Sequence, residues 1–543
     1  MRPSIRLVAA AAGLLLYSCG SPHVSGTALP PPGQDDPPGH TAELPRLTVD
    51  LPPDTSAQPT RALQQGDDLQ AAINSAKPGD VIAIAPGAIF TGSFTLPNKT
   101  GDQWITIRTA VPDGTFPSRG TRVDPSDARM MPVLQSSDNP VIAADSGAHH
   151  YRFVGIEVRP RPGAFLYNAI TLGTTESIVE DLPHHIVFER CYIHGDPEVG
   201  SRRGIALNSR YTAIVDSFLS DFKEQGADSQ AIEGWNGLGP FKISNNDLEG
   251  AGENIMFGGA DPSIDNLVPA DIELTRNLFT KPLAWKTTPW TIKNLLELKN
   301  AHRVLVDGNV FQYSWQQAQS GFAIVFTPRN ENGAAPWSMV QDITFTHNIA
   351  RHSASGVNIL GTDDGHPSDQ AKRILIKDNL FEDIGGPDWG GEGRLFQLLS
   401  GTADVIIDHN TSFETNAVIM ADGTPPNSGF VYTNNVAPNG QYGVIGSGVG
   451  IGNAALKGYF PGAVFDRNVL ASGNPSLYPA DNFFPRSLND VGFIDEAGGN
   501  YRLRTGSKYK KAGTDGRDIG ADIDAIEAAM SSGSSRRHRP SGR

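Results

Sequence analysis

The segment Asn294-Leu295-Leu296-Glu297-Leu298-Lys299-Asn300 places a carboxylate and an amine two residues apart between leucines. In a strand, Leu296 and Leu298 turn to one side while Glu297 and Lys299 share the other. An acid and a lysine on one face can hold a cation, tune the lysine as a base, or form a plain surface ion pair. Arg329 lies in Phe326-Thr327-Pro328-Arg329-Asn330, one repeat later, just past the equivalent strand. Glu253-Asn254 comes one repeat earlier and is followed by Gly258, which under Lys299 leaves a trough. Asp363-Asp364-Gly365-His366 offers paired carboxylates or a solvated turn. His194 and Asp196 with Arg202, Arg203 and Arg210 form a basic cluster that grips carboxylates bidentately or pairs with neighbouring acids. Trp235 and Trp337 can stack on sugar rings or pack in the core. Cys191 reads as a small buried thiol rather than a nucleophile.

The elements that must position these groups come from a repeat. Asn246, Asn277, Asn309, Asn348, Asn379, Asn410, Asn435 and Asn468 each sit inside a similar phrase, at spacings of 31, 32, 39, 31, 31, 25 and 33 residues. Repeats of this length mark a solenoid whose units bury their apolar faces only by stacking. Asn suits a tight turn because it tolerates left-handed backbone, and its amide can bond the coils above and below. A second repeated strand runs through 204–208, 230–234, 254–258, 295–299, 323–327, 357–361, 395–399 and 417–420. About ten to twelve coils at ~4.8 Å predict a rod of roughly 50–60 Å. Leu69, Ala72, Ile73 and Ala76 fall at helical spacing behind Asp67 or Asp68, a helix placed to cover the first coil. A helical run over 523–530 ends the domain. Loops 261–271, 281–292 and 330–340 wall one face, and a long flat outer face fits an extended polymer. The expected fold is all-β: a single-chain right-handed parallel β-helix over 61–528 with N- and C-terminal helical caps.

The opening over 67–94 and the close at Asp515-Gly516-Arg517-Asp518-Ile519-Gly520-Ala521 resemble the pectate-lyase-like right-handed β-helix superfamily. The Glu253, Glu297, Lys299 and Arg329 arrangement is similar to the chondroitinase B and alginate lyase family, which cleaves uronic-acid polymers by β-elimination. That resemblance implies Lys299 as base, Arg329 as acid, and calcium held by Glu297 with Glu253 or Asn254. Hard oxygen ligands suit that metal. Asn254, Arg210, Trp235 and Asn330 are the candidate substrate contacts, and an acidic polysaccharide the expected partner. A non-catalytic surface protein that binds carbohydrate, or a structural envelope rod, uses the same architecture.

The ends and the composition set the compartment. Residues 1–18 have a basic start, a short apolar run and small residues, as in a secretory signal. Leu16-Tyr17-Ser18-Cys19 resembles a bacterial lipobox, which implies a lipidated Cys19, so the membrane is met by a lipid anchor only. Residues 19–60 read as a Pro-rich tether and 529–543 as a disordered basic tail. The expected location is the bacterial cell envelope or its exterior, lipid-anchored on the periplasmic or outer surface, as a monomer. With 59 acidic against 44 basic residues the formal charge is −15, which argues against a nucleic-acid partner. Only two cysteines are present, so no internal disulfide survives processing.

Overall fold

A computed structural model describes residues 41–54, 58–112, 114–138 and 140–531. The signal, Cys19, most of the tether and the tail from 532 lie outside the described residues. Three long sheets run the length of the domain. Sheet 1 holds 14 strands from Arg61–Leu63 to Val464–Asp466, and sheet 2 holds 13, from Ile89–Thr91 to Val469–Ala471. Sheet 3 also has 13, ending in an antiparallel hairpin, Gly443–Gly446 with Gly450–Ile451. Each coil visits sheet 1, turns through a ladder Asn into sheet 2, then sheet 3, and returns. Every pairing between successive coils is parallel, as in Phe241–Ser244 beside Ala270–Thr275. Parallel strands joined by such crossovers wind right-handed. The result is the parallel β-helix expected, with more coils than expected: fourteen strands at ~4.8 Å make a rod of about 60 Å.

The register explains the core. Ile107, Phe153, Phe188, Ile214, Ile243, Leu274, Val306, Phe345, Ile376 and Ile407 face one another strand by strand in sheet 1. All are buried in one continuous cluster. Each such side chain contributes roughly 1.5–3 kcal/mol by leaving water, and no coil has this row without its neighbours.

The asparagine ladder is continuous. Oδ1 of Asn277 accepts from the backbone N–H and the Nδ2 of Asn246, both at 3.0 Å. The same double bond repeats from Asn277 through Asn435 to Asn468, which is in turn met by Asn482. Below Asn246 the ladder continues through Ser217 and Cys191, whose backbone N–H donates to Ser217 Oγ at 3.0 Å. One expectation is corrected here. The left-handed residue is the one before each ladder Asn, such as Asn245 (φ 57°), Arg276 (φ 56°) and His347 (φ 53°), and not the Asn itself. The Asn amide acts by saturating buried backbone groups.

The ends are covered by separate pieces. Helix α1 (Leu69–Ser75) is capped by Asp68, which accepts from Ala71 N–H at 2.9 Å, and it buries Leu69, Ala72 and Ile73. Helix α2 (Asn453–Tyr459) sends Ala455 and Leu456, with Phe460 just beyond, into the main core at the far end. Helix α3 (Ile523–Ser531), expected to close the domain, does not cap the last coil: it lies back along sheet 2, where Ile523 and Ile526 pack with Leu380 and Ile349. Residues 41–54, within the stretch expected as a spacer, form a strap across sheet 1. The strap donates from Glu43 N to Asp342 and from Arg46 N to Asp271. Val49 packs with Val187, Ala213 and Val215, and Arg152 reaches Pro53 O at 3.0 Å.

Candidate functional site

The outward row of sheet 3 is Ala206, Glu233, Met256, Glu297, Val325, Asn358 and Gln397 in register. Leu296 and Leu298 face the core, fully buried, so Glu297 turns outward as predicted. Beside this row stand Arg203, Gln230 and Glu253, paired in turn. Just past the strands, the register of Gly234 with Phe257 and of Phe257 with Leu298 puts Gly258 between Trp235 and Lys299. A Cβ on Gly258 would lie 2.9 Å from the Lys299 Cβ and 2.7 Å from Asn300 N. Only glycine fits there, and its bare backbone lets the next coil approach closely where Trp235 and Lys299 flank it.

The charges on this floor form one chain. Arg203 pairs with Glu233 and donates to Gln230 Oε1 at 3.2 Å; Gln230 donates to Glu253 Oε2 at 2.8 Å. Lys293 pairs with Asp228 and lies 3.8 Å from Glu253 Oε1. Asn294 donates to Glu297 Oε2 at 3.0 Å, and the Lys299 ammonium is 3.5 Å from Glu297 Oε1. Three carboxylates thus crowd a nearly dry face: Glu233, Glu253 and Glu297 are 2%, 0% and 3% exposed. Burial, then the charges of Glu297 and Asp228, push the Glu253 carboxyl up to about 8. Burial also raises Glu233 against the pull of Arg203. Burial works to lower the Lys299 pKa, but Glu297 and Glu253 outweigh it and hold the ammonium charged.

Behind Glu253 sits a residue that sequence reasoning missed. Lys281 is fully buried and donates to Gly250 O, Ala251 O and Gly252 O at 2.5, 3.0 and 3.1 Å, and to Asn254 Oδ1 at 3.3 Å. Burial lowers its pKa to about 7.

The predicted residues therefore divide. Glu253, Glu297 and Lys299 come together, with Trp235 on the same side, its ring 5.4 Å below the Arg203 guanidinium. Arg329 is next to them through its backbone, its N–H donating to Lys299 O at 2.8 Å. Its guanidinium is held by Asp363 and Asp364 at 2.6 and 2.7 Å.

Three assignments are corrected. Asn254 faces the interior, where its Nδ2 donates to Thr280 O and its Oδ1 receives Lys281. The cause is a local irregularity: Asn254 N and Ile255 N both donate to Leu295 O, which breaks strand alternation. Asn330 is a buried brace with all its groups used, by Asp363, Pro367 and Ala335. Arg210 starts a strand of sheet 1, opposite His184.

The remaining candidates resolve into structure. Trp337 joins two loops by donating to Leu267 O at 3.1 Å, and Asp261 accepts from Asn332 N and Ala334 N across the same pair. Arg202 pairs with Glu224, and His194 faces Glu157. The Cys191 thiol, fully buried, is pushed up to about 12 and is no nucleophile. Lys293, Asn294 and Gln319 reach the floor from the loops entering sheet 3, while Trp285, Trp315 and Trp389 pack together in those same loops.

The donor set suits a hard cation. Glu253 Oε1 and Asn294 Oδ1 are buried with no hydrogen-bond partner, and Glu297 adjoins both residues. Two carboxylates and an amide oxygen are ligands that calcium takes.

No family model matches the chain, and no curated protein matches it in sequence. Among solved structures it is similar to the catalytic unit of a thermostable GH87 alpha-1,3-glucanase from Streptomyces thermodiastaticus, at 14% identity and TM-score 0.47, over 77% of this chain and 70% of that one. It is also similar to a mannuronic acid specific polysaccharide family 6 lyase from human gut microbiota, at 13% identity and TM-score 0.42, over 78% and 83%. A third is PfbA, a surface adhesin of Streptococcus pneumoniae, at 10% identity and TM-score 0.38, over 66% and 85%.

Proposed function

We propose that the outer face of sheet 3 binds an acidic polysaccharide and cleaves it by β-elimination at Lys299. The observation that carries this reading is the grouping around Gly258, with Lys299 on one side, Trp235 on the other and Glu253 and Glu297 beside them. The indole offers a stacking surface for a sugar ring, while Arg203, Lys293, Lys299 and Arg329 are each paired with a carboxylate, so a polyanion binds here by exchanging with those acids or through a cation that they hold. Calcium held by Glu253, Glu297 and Asn294 would neutralise the uronate carboxylate and acidify the adjacent C–H. Lys299 takes the C5 proton as a neutral amine and is then stabilised as ammonium by Glu297. Arg329, on the next coil, donates toward the leaving oxygen once it exchanges one aspartate for substrate. Because Glu297 and Glu253 hold Lys299 charged, its turnover rises with pH. By the signal-like run over 1–18 and Cys19, the protein works outside the inner membrane on a lipid anchor.

A second reading has its own support: a carboxyl held protonated to about 8, as Glu253 is, is suited to act as the general acid of glycoside hydrolysis. One experiment separates the readings. The protein is incubated with alginate, pectate and chondroitin sulfate, with calcium or with chelator, while ultraviolet absorbance of the unsaturated uronate and reducing ends are followed together. Elimination raises both signals, and Lys299→Met lowers the rate about 10²–10⁴-fold. Reducing ends without the absorbance, lost in Glu253→Gln, establish hydrolysis. Retained binding without product reduces the site to carbohydrate recognition.

A further inference from the structure

On sheet 1, far from the floor just described in both sheet and coil, two histidine pairs meet. His149-His150 and His184-His185 open the neighbouring strands His149–Val154 and His184–Glu189, with His184 opposite His149 in register. Successive side chains of a strand normally alternate, but His150 (φ 58°) and His185 (φ 52°) are left-handed, which swings both rings of a pair to the same side. Within each pair the Nδ1 atoms are 2.7 Å apart. Between the pairs the rings stack, His149 on His184 at 4.7 Å and His150 on His185 at 4.6 Å, nearly parallel. Tyr211 stacks on His185 at 4.7 Å and Trp104 meets the His150 ring edge-on at 5.2 Å, so the imidazoles are held in place from two sides.

The same two strand positions recur in later coils with different contents. There they hold Asp271 with Arg303, and Asp342 with His302 and Arg373, acids and bases that satisfy each other. Among the described residues no carboxylate forms an ion pair with any of the four histidines. An Nδ1 facing another Nδ1 requires one ring to offer its lone pair, so each pair shares a single proton. Two nitrogens bound to one zinc at ~2.0–2.1 Å stand a little farther apart than this, and a metal replacing the shared proton needs only a small spreading of the rings. His149, His150 and His184 already bring one ring nitrogen each within 4.8 Å of one another.

We infer that His149, His150, His184 and His185 form a binding site for a divalent transition-metal ion of the kind that imidazole prefers, zinc or copper. Four imidazole nitrogens dominate the site, and these are not the hard oxygen ligands that calcium or magnesium takes. Burial and the nearby positive charge of Arg210 keep the His184 and His185 rings neutral, the form that ligates. Arg210 also opposes a bound cation, while Asp102 lies close enough to favour one.

The test uses the untagged chain stripped with chelator and titrated calorimetrically with zinc chloride, copper chloride and calcium chloride, with cobalt chloride as a spectroscopic probe. About one zinc or copper ion per chain is expected, undisturbed by excess calcium, with a cobalt d–d band of imidazole ligation. His184→Gln should weaken zinc binding at least 10-fold, and His149→Gln with His184→Gln should abolish the band while circular dichroism stays unchanged. Arg210→Ala should tighten binding. Absence of binding, or an unchanged stoichiometry and band in the folded double variant, overturns the site. Because the polysaccharide site shares none of these residues, neither result depends on the reading of sheet 3.

Discussion

On the outer face of sheet 1, Arg303 reaches Asp271 through two bonds of 2.7 and 3.0 Å, and Arg373 reaches Asp342 through two of 2.7 and 2.6 Å. Each acid has a forked partner, and the strap over 41–54 adds backbone donors to the same carboxylates. On the outer face of sheet 3, the coils carry Glu233, Glu253 and Glu297 side by side, bridged by single amides and by lysines at 3.5 and 3.8 Å. The consequence appears in the protons. Burial opposes it, yet Arg373 and His302 hold the Asp342 carboxyl well below the usual carboxylate range, whereas Glu253 is pushed up to about 8. One scaffold thus builds a satisfied wall and a frustrated floor. Frustrated, buried ionisable groups are where chemistry is found.

That contrast can be broken most directly at Arg373. Arg373→Ala leaves Asp342 buried without its fork, and a loss of about 3–5 kcal/mol in urea unfolding is expected; a loss below about 1 kcal/mol would mean that the sheet 1 pairs are ornamental. The ladder supplies the next largest effect. Asn348→Ala removes the donor to Val306 O and one donor to Asn379 Oδ1 and strands the backbone N–H of Asn309, whose Nδ2 keeps Leu274 O. A cost of about 1–3 kcal/mol follows from burying unsatisfied groups, read as a lower denaturation midpoint with an unchanged slope.

The smallest effect has opposite signs on the two faces. Glu253 binds its proton more tightly folded than unfolded, so its contribution is lost as pH rises from about 4.5 through about 8. Asp342 does the reverse: its contribution is present above the unfolded carboxylate pKa and lost as pH falls below it. Glu253→Gln should therefore stabilise the protein more at pH 8 than at pH 5, measured by paired urea titrations. An equal effect at both values would show that Lys293 and Lys299 already compensate the acid in full.

Much of the site was legible because two periods were. The Asn spacing set the coil, and the alternation in Leu296-Glu297-Leu298 set which side Glu297 and Lys299 take; both survive because a one-residue slip would bury charge. That Gly258 stacks against Lys299 followed from the same register, but the expected trough did not, because the Lys299 backbone fills the space. Asn254 failed where alternation failed, at two N–H groups sharing Leu295 O. Arg329 was placed on the correct neighbouring coil, but Asp363 and Asp364, over thirty residues on, decide where its guanidinium points. Lys281, Lys293 and Asn294 reach the site from an irregular loop, which carries no period to read.

The four histidines make the same point from the other side. His149-His150 and His184-His185 are plain in the sequence, 35 residues apart, yet nothing local says that they stack. What the chain alone determined is everything that repeats: the winding, the ladder and the inward rows, because burying an apolar stripe against its own copy is a condition each coil imposes on the next. What only the tertiary structure decided is which outward charges find partners. That depends on loops and on strands an entire turn away, where a shift of one ångström separates a neutralised acid from one that keeps its proton.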